Sequence, residues 1–200
     1  HVVVADPVTL ETIATLDTQA DVPTALDCCG QNLWGCAMGN KCVLFQFNDQ
    51  KLAIEPLFSF VHQEGVEMTN FLKLFRTSPE SIILLVGGEK KCVAVWMVSL
   101  REGKIIGSSL QHNFLDHQAE VVDADYLNET FLSCGKDGTV KVWTQKSVLA
   151  TITPKISDKK IAIRSAFFVN SSQIVVLAHL PRGPSYLFLY NWKAPGSPLR

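Results

Sequence analysis

Three residues in the middle of this 200-residue sequence, His117, Ser133 and Asp137, are of the types that build a general base, a nucleophile and an orienting carboxylate. With Trp143 just beyond them they also form a set of donors and acceptors that can close on itself. An aspartate in a tight turn holds an imidazole, the imidazole reaches a strand hydroxyl, and the hydroxyl meets an indole N–H. The structural arrangement is favoured, because a nucleophile must face an open pocket and carry an oxyanion site. Other chemistry has less support. The cysteines at 28, 29, 36, 42, 92 and 134 form no C-x-x-C and have no histidine pair at ligand spacing, so no metal site is expected. Cys42, Cys92 and Cys134 lie in apolar strand patterns as small hydrophobes, and adjacent Cys28 and Cys29 point to opposite faces. Free thiols and a reducing environment facing the cytosol follow. Gly87-Gly88 has no helix after it and cannot make a phosphate site. His62, His112 and His179 are scattered, Lys90-Lys91 and Lys159-Lys160 are short solvated pairs, and Asn128-Glu129-Thr130 reads as a turn. Pro181, Arg182, Gly183 and Pro184 form a stiff exposed tip, a candidate partner-binding loop.

The elements that position these residues recur along the chain. Cys42-Val-Leu-Phe-Gln-Phe47, Cys92-Val-Ala-Val-Trp-Met97, Thr139-Val-Lys-Val-Trp-Thr144 and Leu187-Phe-Leu-Tyr-Asn-Trp192 share one alternating pattern, starting 50, 47 and 48 residues apart. That period sits slightly above the roughly 40–45 residues of a WD-type propeller blade, the excess fitting long loops. The best unit reads as strands over 120–126, 130–134, 139–144 and 147–153, with a two-residue hairpin loop expected at Lys136-Asp137-Gly138 because Asp-Gly supplies positive φ. The unit before it gives 69–76, 82–86, 92–98 and 104–110; the one before that, 24–29, 33–38, 41–47 and 53–61; the last, 163–169, 173–178 and 185–192. No window of a dozen residues keeps a helical apolar stripe without a β-branched run or a Gly/Pro interruption. The fold class is all-β, a WD-repeat β-propeller, with units at about 1–18, 22–61, 66–110, 117–153 and 161–193 and a loop over 194–200. His117, Ser133, Asp137 and Trp143 then occupy the places of the buried tetrad of WD repeats. Only the third unit has the full set; the second carries Glu89 in its turn and no histidine, so that turn must be held differently.

Composition narrows the function. Apolar residues are 47% and charged residues 18%, so a sizeable core is expected and disorder is excluded. A net charge of −1 leaves no footprint for nucleic acid, and this argues against DNA-binding regulation. No stretch approaches the length and apolarity of a membrane span, and His1 to Asp6 shows no signal peptide. The chain opens in a third strand and stops after a third strand followed by Ala194-Pro195-Gly196-Ser197-Pro198; a fragment of about four blades from a ring of roughly seven is expected.

The order of units resembles one family in particular. The features are His1-Val-Val-Val4 leading to the blade that ends Cys42 to Phe47, then Gly87-Gly88 to Val93-Ala-Val-Trp96, His117-Gln-Ala-Glu-Val-Val-Asp123 leading to Cys134-Gly-Lys-Asp137 and Val142-Trp143, and Ile163-Arg-Ser-Ala-Phe-Phe168 leading to Tyr186-Leu-Phe-Leu-Tyr-Asn-Trp192. The chain is thereby similar to the prolactin regulatory element-binding protein family, the guanine-nucleotide exchange factors of the endoplasmic reticulum that start COPII coat assembly. The resemblance implies a propeller on the cytosolic face of the endoplasmic-reticulum membrane, acting on the small GTPase of the COPII coat. It also implies a potassium-binding, Gly-rich exchange loop preceding His1 and a membrane anchor beyond Arg200, so no catalytic residue and no cofactor is assigned within the chain. An exchange factor of this kind regulates a GTPase and carries no hydrolytic, redox or transfer site of its own. The alternative is a non-catalytic WD scaffold that holds protein partners together.

Overall fold

A computed structural model describes residues 1–18, 22–30, 32–61, 68–156 and 161–194. His62, Lys159, Lys160 and the Pro195 to Pro198 stretch lie outside the described residues. Every element assigned among the described residues is a β-strand. The chain divides into two compact units, His1–Val86 with Ala94–Gln111 and Gly87–Val93 with His112–Arg200.

In the first unit β1 (Val2–Ala5) pairs with β2 (Thr12–Leu16). An antiparallel meander follows, of β3 (Pro23–Cys29), β4 (Leu33–Met38), β5 (Lys41–Asn48) and β6 (Ala53–Val61). The next sheet runs in chain order through β7 (Thr69–Ser78), β8 (Ser81–Gly88), β9 (Val93–Arg101) and β10 (Lys104–Phe114). The second unit holds the meander β11 (Val121–Leu127), β12 (Thr130–Gly135), β13 (Val140–Trp143) and β14 (Val148–Ile152). It also holds the three-stranded β15 (Ala162–Phe168), β16 (Gln173–His179) and β17 (Ser185–Asn191). Differences from the expected limits lie at strand ends: β9 begins at Val93, and β10 runs on past residue 110 to Phe114.

Tight turns set the registers. Asn128 and Glu129 take φ of 48° and 62°, and Glu102 and Gly103 take 50° and 76°. Positive φ at both central residues is the primed geometry that matches strand twist, so each pair closes a two-residue hairpin. The β12–β13 hairpin corrects the expectation. Its loop has three residues, with Gly138 N–H donating to Gly135 O at 3.0 Å and Gly135 N–H to Thr139 O at 3.1 Å. Of the three residues only Gly138 takes a positive φ, +83°. Asp137 stays out of the left-handed region because its carboxylate closes an Asx turn, accepting Thr139 N–H at 2.9 Å.

Within each unit, apolar residues of neighbouring sheets pack into a shared core. Within the first unit Ala37, Leu44, Leu72, Ile82, Leu84 and Val98 form one core. Gly35 on β4 permits this approach, since a Cβ there would lie 3.0 Å from a Leu72 methyl and 3.1 Å from a Leu74 methyl. In the second unit Leu132, Val140, Val142, Ile163, Ile174 and Val176 do the same. A carboxylate marks both junctions. Leu74 N–H on β7 donates to Asp27 Oδ2 on β3 at 2.8 Å, and Phe168 N–H on β15 donates to Asp125 Oδ2 on β11 at 2.7 Å. Asp27 and Asp125 each fall two residues past the register shift of the first strand of their sheets, so the bond is the same device used twice. A second carboxylate, Asp123, accepts from the Ser165 hydroxyl.

A hydrogen bond to a charged acceptor contributes about 1.5–3 kcal/mol. Asp125→Ala is expected to destabilise the protein by about that amount in urea unfolding. Asp125→Asn, which keeps an acceptor at the same place, is expected to lose less than half as much; equal losses would show that the bond to Phe168 N–H is not the cause.

Candidate functional site

The strongest polar constellation lies in the second unit, where the structure brings His117, Ser133, Asp137 and Trp143 together. Asp137 sits in the β12–β13 turn and Ser133 in mid-β12, Trp143 ends β13, and His117 lies on the segment before β11. His117 Nδ1 is 2.9 Å from Asp137 Oδ2, His117 Nε2 is 2.8 Å from Ser133 Oγ, and Trp143 Nε1–H donates to Ser133 Oγ at 2.8 Å. Burial is the first cause that holds the His117 imidazole below its ordinary value, with the Asp137 carboxylate opposing it. A neutral ring makes every donor count. The indole N–H points at the serine oxygen, the serine O–H at Nε2, and Nδ1–H at Asp137.

Asp137 accepts four bonds. Its Oδ2 takes Gln118 N–H at 2.8 Å as well as the imidazole, and Oδ1 takes Thr139 N–H at 2.9 Å and the Thr139 hydroxyl at 2.7 Å. Burial pushes this carboxyl upward, but the bonds from Thr139, Gln118 and His117 outweigh it and bring the pKa down to about 2. Space is as constrained as charge. A Cβ at Gly135 would stand 2.8 Å from His117 Nδ1 and 3.0 Å from Asp137 Oδ1, so only glycine fits there.

The order Asp–His–Ser is that of a hydrolytic triad, yet the environment is not. Ser133 is 1% exposed and His117 2%, and the Ser133 oxygen already faces an indole donor. Substrate has no path to the hydroxyl, and the arrangement acts as a lock between a turn, two strands and the preceding loop. Beside it Lys141, 8% exposed, meets Asp116 and lies 5.9 Å from the centre of the Trp143 ring, while Phe114 stacks on Trp143 at 4.7 Å. Gln118, Thr139, Gly135, Lys141, Asp116 and Phe114 all belong to this cluster and were not singled out by spacing. Only Thr139, directly after Asp-Gly, had a local signal, that of an Asx turn.

The remaining residues of interest stand apart. In the turn that carries Glu89, Lys91 takes φ of 60°, and its N–H donates to Gly88 O at 3.4 Å. Val86 stands one repeat of 47 residues before Ser133, and the buried Nε1 of Trp96, one repeat before Trp143, has no acceptor. Pro181 to Pro184 forms the exposed β16–β17 tip, closed by Leu180 N–H to Pro184 O at 3.2 Å, with Arg182 at φ 57°. His112 lies against Phe114, and buried His179 Nδ1 has no hydrogen-bond partner. None of the six cysteines is in a disulfide; Cys28 is exposed and Cys29 buried, and burial raises the thiols of Cys42 and Cys134 far above their ordinary value. Among the described residues no cluster of three or more His, Cys, Asp or Glu is placed to hold a metal ion. Among the described residues no helix is long and apolar enough to cross a membrane.

No family model and no curated protein matches the chain. Solved structures do. One described as the COPII outer coat vertex on membranes aligns at TM-score 0.73 and 16% identity, over 95% of this chain and 51% of that one. A chain of the COPII coat assembled on membranes aligns at 0.73 and 16% over 95% of this chain and 28% of its own. The computationally designed Ika8 protein aligns at 0.64 and 15%, over 94% and 52%. At such identity the likeness shows the fold alone, and that fold is the β-propeller, here as a set of four-stranded blades with partial ones. The chain spans about half of the length of the first of these structures and less of the second.

Two outcomes follow from the locked tetrad. Unfolded His117 takes up a proton near pH 6.5 while the folded ring resists it, so stability falls as pH drops below 6.5. Asp137 contributes stability that is complete above 3.8 and is lost as pH falls toward about 2. Urea midpoints taken from neutral to strongly acid pH are expected to show both declines, and His117→Gln to remove the upper one. Ser133→Ala leaves the indole N–H without an acceptor and is expected to cost about 1–3 kcal/mol, read from the same unfolding curves.

Proposed function

We propose that this chain is the cytosolic propeller of a guanine-nucleotide exchange factor for the small GTPase of COPII vesicle formation, working at the endoplasmic-reticulum membrane in transport to the Golgi. The observation that carries the reading is the agreement of two independent likenesses. The unit-by-unit motifs resemble the exchange-factor family, and the fold superposes over 95% of the chain on structures described as COPII coat.

The physics of exchange suits such a body. A partner accelerates release only by binding the nucleotide-free GTPase better than the loaded one, and it shifts the equilibrium by no more than that difference. A platform stiffened by sheet-to-sheet cores and a closed polar lock holds its loops in place, so little of the binding free energy goes into ordering them. No bond is made on the chain's own residues in this scheme; the GTPase supplies the chemistry. The exposed Pro181–Pro184 tip, with a guanidinium on a stiff turn, is the contact loop of the proposal. A non-catalytic scaffold within the coat is the second reading, favoured by the same coat structures.

Fluorescence-monitored nucleotide release from the purified GTPase decides between them. Acceleration by the full cytosolic domain is expected, and Arg182→Glu is expected to slow association without shifting the melting temperature. Release at the intrinsic rate, with the propeller still binding coat subunits, would reject exchange and leave the scaffold.

A further inference from the structure

Each of the three four-stranded sheets ends in an outer strand, β6, β10 or β14. An outer strand presents a row of N–H and C=O groups ready to pair, and proteins blunt such edges with charge, proline, bulges or shortness. β6 carries Glu55 and Pro56 and a register shift against β5. β14 has five residues and a register shift against β13. β10 is neither short nor interrupted by proline, and its one charged residue, Lys104, stands at its start. It is eleven residues long, and from Ile105 to Phe114 it contains no Asp, Glu, Lys, Arg or Pro. Ile106 and Leu110, four residues apart and therefore on one side of the strand, are 64% and 44% exposed.

We infer that the β10 edge from Ile105 to Gln111 pairs with the same edge of a second copy, antiparallel about a two-fold axis through Ser108. The sequence is self-complementary in that register. Ile106 of each copy stands opposite Leu110 of the other, Gly107 meets Ser109, and Ile105 meets Gln111, with no charge on either side. One rotation satisfies both halves, as an isologous contact requires, and both exposed aliphatic side chains gain an apolar neighbour. A strand from an unrelated partner has no such reason to match both positions. The contact is small, so the dimer is weak and depends on concentration. It stands independently of the exchange reading.

Sedimentation velocity of the full chain over a wide range of concentration tests it, with hydrogen exchange on the amides of residues 105–111. A monomer–dimer equilibrium is expected, with these amides protected as concentration rises. Ile106→Lys and Leu110→Glu alter exposed side chains and are expected to keep the melting temperature, while each weakens dimerisation at least about tenfold. The double variant places the new ammonium opposite the new carboxylate and is expected to regain association. A monomer at all concentrations, a dimer indifferent to Ile106→Lys, a double variant that stays monomeric, or protection of these amides only on addition of another protein would each overturn the proposal.

Discussion

A four-stranded meander built from alternating apolar residues has two greasy faces and no way to cover either by itself. It is stable only against another sheet like it, and this demand shapes most of the chain. It selects β-branched and aromatic residues on both sides of the middle strands. It places glycine where two backbones must come close, as Gly35 does under Leu72 and Leu74. Apolar contact is indifferent to sliding, however, and the carboxylates of Asp27 and Asp125 supply the missing direction. Each binds one backbone N–H of the neighbouring sheet and so sets one sheet's height against the next.

The polar lock follows the same logic at smaller scale. Trp143 fills space against Phe114 and brings an indole N–H into a buried setting, where an unpaired donor is costly. Ser133 accepts it, His117 accepts from the serine, and Asp137 ends the chain with a charge stabilised by Thr139 and Gln118. A constellation that reads as catalytic on paper becomes structural because its hydroxyl is sealed. The neighbouring repeat shows the cost of an incomplete set: with Val86 at the place of Ser133, the Trp96 indole is left without an acceptor.

Much of this was legible before any coordinates. Strand order, the repeat and the four members of the tetrad could be read because they depend on side-chain type at short, regular spacing. Asp-Gly predicts a two-residue loop, but the β12–β13 loop has three residues, because Asp137 turns its carboxylate back onto Thr139. Nothing in the sequence marks Gly135, whose missing Cβ leaves the space that His117 and Asp137 occupy. Gln118 contributes a backbone N–H, a group every residue but proline carries, so no residue type could announce it.

By itself the sequence determined the local matters: where strands run, where the chain turns, which face is apolar. These follow from φ preference and two-residue periodicity, which act over a few positions. Only the tertiary structure decided which carboxylate meets which amide 43 or 47 residues away, that the serine is shut from solvent, and that β10 is the outer strand of its sheet. Those outcomes depend on how whole sheets stack, and stacking is governed by surfaces that exist only once the strands have paired.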